Sequence, residues 1–307
     1  MKKRIAIILC ALLLCGCGKT ETAPESTAPA TEPAPELDLE PLCDGKTLKV
    51  LAIGNSFSNN TMEHLYDIAV AEGITDVTLG RLYIGSCSLQ MHATNALADA
   101  PAYTYYKTTN GLWDKTENAT LLQALQDESW DIITMQQNSG NSGQPASYDG
   151  YLERLIDYVN QNKTNPDAKF VWHMTWAYQG DSDHKAFADY GCSQDLMYKA
   201  IVDATQQKIL TNDAFCAVIP AGTAVQNART SYFGDNLTKD GYHLNELGKV
   251  IASYTWYAVL VGKPLEKISI VRFPHVALTE ENKAIVMESV NNALRTPYAV
   301  TNSAYTG

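Results

Sequence analysis

Several signatures that would fix a function at once are missing from this chain of 307 residues. There is no H-E-x-x-H, and the histidines His64, His92, His173, His184, His243 and His275 stand at no spacing that would gather ligands around zinc. The expectation is therefore no metal and no organic cofactor. Beyond the first twenty positions the only cysteines are Cys43, Cys87, Cys192 and Cys216, and no two of them make a C-x-x-C pair. One disulfide is open to them, although Cys87 and Cys216 sit in or beside apolar segments and read as buried free thiols. Cations are scarce: 23 Lys and Arg against 34 Asp and Glu give a formal charge of −11, which argues against nucleic acid as a partner. No internal repeat divides the chain, and no apolar run approaches the ~20 residues of a membrane-spanning helix.

What is present begins with a leader. Met1-Lys2-Lys3-Arg4 is basic, Ile5 to Leu14 is apolar, and Leu14-Cys15-Gly16-Cys17 ends the run, as in a signal peptide. That ending resembles a bacterial lipobox. The resemblance implies a lipid on Cys17, since Gly16 suits the small position before the cut better than Leu14 does. Residues 1–17 would then be removed or lipidated, leaving the protein anchored in the membrane on the outer face of the bacterial cytoplasmic membrane. Residues 18–42 are rich in Thr, Ala, Pro, Glu and Ser, a composition that cannot bury enough surface to fold, and they read as a tether.

The remaining 43–307 is about the size of one large domain. Apolar or β-branched runs at Thr47–Ile53, Val77–Tyr83, Asp131–Gln136, Lys169–Met174 and Phe215–Ile219 alternate with helical patterns at Met62–Glu72, Ala119–Asp127, Tyr148–Gln161 and Asp195–Leu210, and Glu246–Val261 closes the core. Continuous apolar strands between helices predict an α/β fold with a mostly parallel sheet covered on both faces. Ligands of such sheets bind at the carboxyl ends of the strands.

Two short motifs fall where that rule points. Gly54-Asn55-Ser56-Phe57-Ser58 follows the first strand, and Gly54 lets the chain turn so that Ser56 sits at the strand's end. Near the other end, Asp240-Gly241-Tyr242-His243-Leu244 places an Asp three residues before a His, so that Asp240 can orient the imidazole of His243 and leave its other nitrogen free to accept the serine proton. His64 and His92 have no Asp three residues ahead and are weaker candidates. In this order and at this separation the two blocks resemble the SGNH (GDSL-like) hydrolase family, with Asn55 where that family usually has Asp. "LAIGNSFS" looks closest to a bacterial subgroup of it.

The resemblance implies a three-layer α/β/α sandwich with a flavodoxin-like central sheet. It also implies an oxyanion hole built from the N–H groups of Ser56 and Gly85 and from a side-chain amide after the third strand. The family's G-x-N-D is absent there. Met135-Gln136-Gln137-Asn138-Ser139-Gly140-Asn141 stands in its place, and Gln137 is the expected donor, with Asn138 and Asn141 as rivals. After the fourth strand, Trp176 and Tyr178 could stack on sugar rings or simply pack in the core. Together with Asn55 they are assigned to substrate binding. The implied activity is ester hydrolysis through a Ser56-His243-Asp240 triad on a small-molecule or glycan ester, with a carbohydrate O-acetylesterase favoured for a tethered extracytoplasmic enzyme. A lipid or thioester hydrolase with the same triad, which needs an apolar acyl channel beside Ser56, and a non-catalytic glycan-binding lipoprotein remain as alternatives, and the segment from Ala93 to Trp113 could form a lid of either character.

Overall fold

The computed structural model describes residues 39–306; the expected signal segment, Cys17 and most of the expected tether lie outside them. In chain order the elements are β1 (Thr47–Gly54), α1 (Ser56–Met62), α2 (Leu65–Ala71), β2 (Asp76–Tyr83), α3 (Leu89–Leu97), β3 (Tyr103–Thr108), β4 (Asp114–Ala119), α4 (Leu121–Gln126), β5 (Ile132–Met135), α5 (Tyr151–Asn162), β6 (Lys169–His173), α6 (Gln194–Lys208), β7 (Phe215–Ile219), α7 (Ala221–Arg229) and α8 (Glu246–Val261). A two-residue ladder, β8 (Arg272–Phe273) with β9 (Val276–Ala277), and α9 (Glu280–Arg295) follow.

The seven strands of the main sheet run in the order β4-β3-β2-β1-β5-β6-β7. From β2 through β7 every neighbouring pair is parallel, and these five strands have the 2-1-3-4-5 arrangement of a flavodoxin-like sheet. β1 lies at its centre. Val50 to Ile53 are all buried, as a strand covered on both faces requires. One helical layer joins α1, α2, α7, α8 and α9, while α3, α4 and α5 pack together in another. α8 is buried along nearly its whole length, from Gly248 to Val261 with only Lys249 and Tyr257 excepted, which explains why its sequence is apolar all round rather than on one stripe.

Three features depart from the sequence reading. The antiparallel hairpin of β3 and β4 extends the sheet beyond β2, so much of the segment expected as a lid is α3 and an added strand. The helix expected over Met62–Glu72 is broken at Glu63-His64, and α1 begins at Ser56 itself. The folded part also starts before Cys43: Leu42 is buried and its N–H donates to Leu260 O at 3.1 Å. Among the described residues all four cysteines are free; Cys87 is buried as expected, but Cys216 is exposed on β7.

Candidate active site

β1 delivers Gly54 to the carboxyl edge of the sheet, and the chain turns there into α1. The turn needs glycine for lack of space: a Cβ on Gly54 would collide with the Ser58 side chain and lie 3.2 Å from Gln136 Cδ. Asn55 caps α1 by accepting the N–H of Phe57 at 2.9 Å, which leaves Ser56 as the first helical residue.

The second motif reaches this point from the loop before α8. Gly241 has φ +85° and its position is crowded by Ser182, so the turn excludes a side chain twice over. That turn brings Asp240 back over its own loop: one carboxylate oxygen accepts the His243 backbone N–H at 2.7 Å, and the other meets His243 Nδ1 at 2.7 Å. His243 Nε2 then stands 2.9 Å from Ser56 Oγ. With Nδ1–H held by a carboxylate, Nε2 is the free acceptor for the serine proton. Partial burial would push the Asp240 carboxyl up, but the ring and backbone hydrogen bonds from His243 outweigh it and hold the group below the usual carboxylate range, so it stays ionised.

Two further contacts brace the loop against α1. The Leu244 N–H donates to Asn60 Oδ1 at 3.0 Å, and Trp176 Nε1–H donates to Tyr242 O at 2.8 Å while its ring stacks on Phe57 at 4.1 Å between centroids. Ser56, His243 and Gly85 share a cavity of about 200 Å³ whose other walls include Tyr83, Ser139, His184 and Tyr242. It lies at the ends of β1, β2 and β5, the switch point where the strand order reverses. The backbone N–H groups of Ser56 and Gly85 have no protein acceptor among the described residues, and both belong to this cavity. Ser86, next to Gly85, has φ 56°, a left-handed conformation uncommon for a non-glycine residue.

Four assignments change. Gln137 is buried and its amide is fully engaged: Nε2 donates to Ser147 O and Oγ at 3.2 and 3.1 Å, and Oε1 accepts from the Leu89 and Asn138 N–H groups. It has no N–H left for an oxyanion. Its rival Asn138, half-buried, donates from Nδ2 to Ser86 O at 3.2 Å beside the cavity. Asn55 borders the cavity but is only 2% exposed, and its side chain is spent on protein contacts. Its Nδ2 donates to Cys87 O at 3.1 Å and its Oδ1 also accepts from Gln136 Nε2 at 2.9 Å, so it ties the Ser56 turn to the Gly85 loop. Gln136 in turn accepts from His173 Nδ1–H at 2.9 Å, and burial pushes the His173 pKa down to about 3. Trp176 and Tyr178 are both fully buried, so the core-packing alternative describes them.

The sequence reading missed His184, Ser139, Tyr83 and Tyr242 as cavity residues. Tyr83 and Tyr242 adjoin positions already singled out, as the last residue of β2 and the neighbour of His243, and could have been found from that. His184 lies in a long loop after β6 with no spacing to mark it. No cluster of His, Cys, Asp or Glu suited to a metal ion occurs among the described residues, and no described helix is long and apolar enough to cross a membrane.

Comparison with known proteins places this architecture. No curated protein matches the chain. A DUF4886 family protein from Bacteroides uniformis, known from its crystal structure, is 36% identical, with 84% of this chain and 98% of that one aligned at a TM-score of 0.78. More distant structures include a Slackia heliotrinireducens protein provisionally assigned as an SGNH hydrolase, 21% identical over 70% of this chain and all of that one at a TM-score of 0.48. A catalytic mutant of an acetylxylan esterase from Geobacillus stearothermophilus is 9% identical over 71% of this chain and 96% of that one, at 0.44. Residues 49–285 match the DUF4886 family, a domain of unknown function, and the chain belongs to that family.

Proposed function

We propose that this protein is a serine ester hydrolase acting through Ser56, His243 and Asp240, and that its substrates are small acyl esters of carbohydrates. The observation that carries the reading is the continuous hydrogen-bonded line from Asp240 to His243 Nδ1 at 2.7 Å and from His243 Nε2 to Ser56 Oγ at 2.9 Å. Ser56 Oγ attacks the ester carbonyl as its proton passes to His243 Nε2. The tetrahedral oxyanion accepts hydrogen bonds from the Ser56 and Gly85 N–H groups, with Asn138 rather than Gln137 as the adjoining amide. Collapse breaks the C–O bond to the alcohol, which leaves with the proton from His243. Water then attacks the acyl-enzyme with His243 again as base, releasing a carboxylic acid and free Ser56.

The cavity's small volume, below the ~300 Å³ at which pockets for drug-sized ligands begin, supports a short acyl group over a fatty chain. Its polar rim of Ser86, Ser139 and His184 supports a hydroxylated alcohol. A leader of the lipoprotein type on Cys17 and a polar tether favour work on an extracytoplasmic glycan at the membrane's outer face. The test is hydrolysis of 4-nitrophenyl esters of increasing chain length and of an acetylated oligosaccharide, by wild type, Ser56→Ala and His243→Ala. Loss of acetyl ester turnover in both variants, with rates falling as the acyl chain lengthens, is expected. Turnover that survives Ser56→Ala overturns the proposal.

A further inference from the structure

A second histidine stands in the same cavity as the triad and takes no part in the steps above. His184 begins the turn at Lys185–Tyr190, and its Nδ1 accepts the backbone N–H of Ala186 at 3.2 Å. An imidazole nitrogen that accepts an N–H carries no proton, so the neutral ring must bear its hydrogen on Nε2. Burial, and then the neighbouring Lys185 and His243, push its pKa below the ordinary histidine value, against the smaller upward pull of Asp183 and Asp240. Tyr178 and Tyr242 hold the ring from two sides, with centroids 4.7 and 4.8 Å away and interplanar angles of 50° and 70°. Nε2–H donates to no protein group among the described residues, while the ring lines the cavity that contains Ser56 and His243. The result is a donor of fixed tautomer and fixed orientation, with its acceptor still to come.

Its place in the cavity says which part of a substrate that acceptor belongs to. In acyl transfer the base protonates the departing oxygen, so the alcohol lies over His243, while the acyl oxygen turns toward the Ser56 and Gly85 N–H groups. His184 packs on Tyr242, the residue before His243, and so borders the alcohol side. We propose that His184 Nε2–H donates to a hydroxyl or ring oxygen adjacent to the ester oxygen, so that His184 selects esters of polyhydroxylated alcohols over simple alkyl or aryl esters. This rests on the ester hydrolase reading and extends it to the alcohol moiety.

The test compares wild type, His184→Phe and His184→Asn on 4-nitrophenyl acetate, whose alcohol has no oxygen next to the ester, and on a mono-O-acetylated methyl xyloside. Phe keeps a flat ring between the tyrosines without the donor, and Asn supplies both an acceptor for the Ala186 N–H and a donor. The expected result for Phe is a ten-fold or greater fall in kcat/KM on the acetyl sugar, carried by KM, with 4-nitrophenyl acetate changed less than about two-fold; Asn recovers part of the sugar activity. Thermal melting of each variant separates misfolding from loss of the donor. Equal losses on both esters in a folded protein, or no loss on the sugar, overturn the role of His184. Ser56-dependent turnover of 4-nitrophenyl acetate with none of the acetyl sugar also overturns it but leaves the hydrolase reading standing, whereas no turnover of either ester by wild type removes both.

Discussion

The two ends of the central sheet make an instructive contrast. At the amino ends of the strands there is a hollow of about 410 Å³ bordered by Cys43, Asp44, Glu72, Tyr257 and Lys263, roughly twice the volume of the cavity at the carboxyl ends. The larger one has the weaker chemistry. Burial there raises the Cys43 thiol, so it stays protonated and a poor nucleophile, and no histidine borders that hollow. At the carboxyl end β1, β2, β5 and β6 each release a loop into one small space, and together with the Asp240-His243 loop they supply a nucleophile, its base, backbone donors and the walls that fix them. Volume measures how loosely loops fill a surface, whereas convergence of strand ends determines which groups can meet.

The largest difference between the two ends should appear in turnover. Ser56→Ala is expected to lower kcat by about 10⁴-fold or more and Asp240→Asn by a comparable amount, since the carboxylate fixes the tautomer, whereas Cys43→Ser should leave kcat/KM within about two-fold of wild type. Steady-state kinetics on 4-nitrophenyl acetate make the comparison. A Cys43→Ser variant as inactive as Ser56→Ala would reverse the assignment of the two ends.

A smaller but still large effect is expected at Asn55. The Asn55 amide holds the Ser56 turn, the Cys87 loop and Gln136 together. Asp at this position could accept from the Phe57 N–H and Gln136 but could not donate to Cys87 O, leaving that carbonyl unpaired and placing a charge in a buried site. Asn55→Asp should lower kcat by about 10²-fold, as expected when catalytic groups are misplaced by an ångström, with KM little changed. A rate equal to wild type would show that the two oxyanion donors do not depend on this tie.

These residues also mark what could be read in advance. Most of the parallel strands were legible because a strand covered on both faces is apolar throughout, β7 at the sheet's edge because it is rich in β-branched and aromatic residues, and the Ser56 and Asp240-His243 blocks because each is a local motif on one turn. The β3 and β4 hairpin was not, since β4 is polar and exposed up to its last residue, Ala119, and so carries no apolar pattern, and only Tyr103, Tyr105 and Thr108 of β3 are buried. Gln136 and Gln137 are adjacent and chemically identical. Only their partners, Asn55 and His173 for one and Leu89 and Ser147 for the other, decide which way each amide turns, and all of these but Ser147 are remote in sequence. His184 was hidden because its place beside Tyr242 depends on two loops distant in sequence packing together, not on any spacing from His243.

The carboxyl half should also be the acid-sensitive half. His173 and His92 are buried, and burial drives both pKa values down to about 3 from 6.5. Between those values the unfolded chain binds protons that the folded chain does not. Stability is therefore full above about pH 6.5 and is lost as pH falls toward 3, by up to ~1.4 kcal/mol per pH unit for each ring. Melting temperature followed from pH 7 to pH 5, above the main carboxylate range, should decline, and the decline should shrink in His92→Gln. A flat profile would mean that the rings are hydrated or paired when charged.

The smallest effect is the one that separates scaffold from subsite. Trp176 is fully buried, stacked on Phe57 and bonded through Nε1–H to Tyr242 O, so it fixes the angle at which the His243 loop meets α1. Trp176→Phe keeps an aromatic face for Phe57 but leaves the Tyr242 carbonyl without its donor, at a cost of ~1–3 kcal/mol. For a domain of this size that corresponds to a fall in Tm of several degrees. KM for an acetylated oligosaccharide should stay within about two-fold of wild type, because a ring with no exposed surface cannot touch a sugar. If instead Tm held steady while KM rose ten-fold, Trp176 would have to open toward the cavity during catalysis, and the carboxyl end of β6 would be a moving part of the binding site instead of its fixed frame.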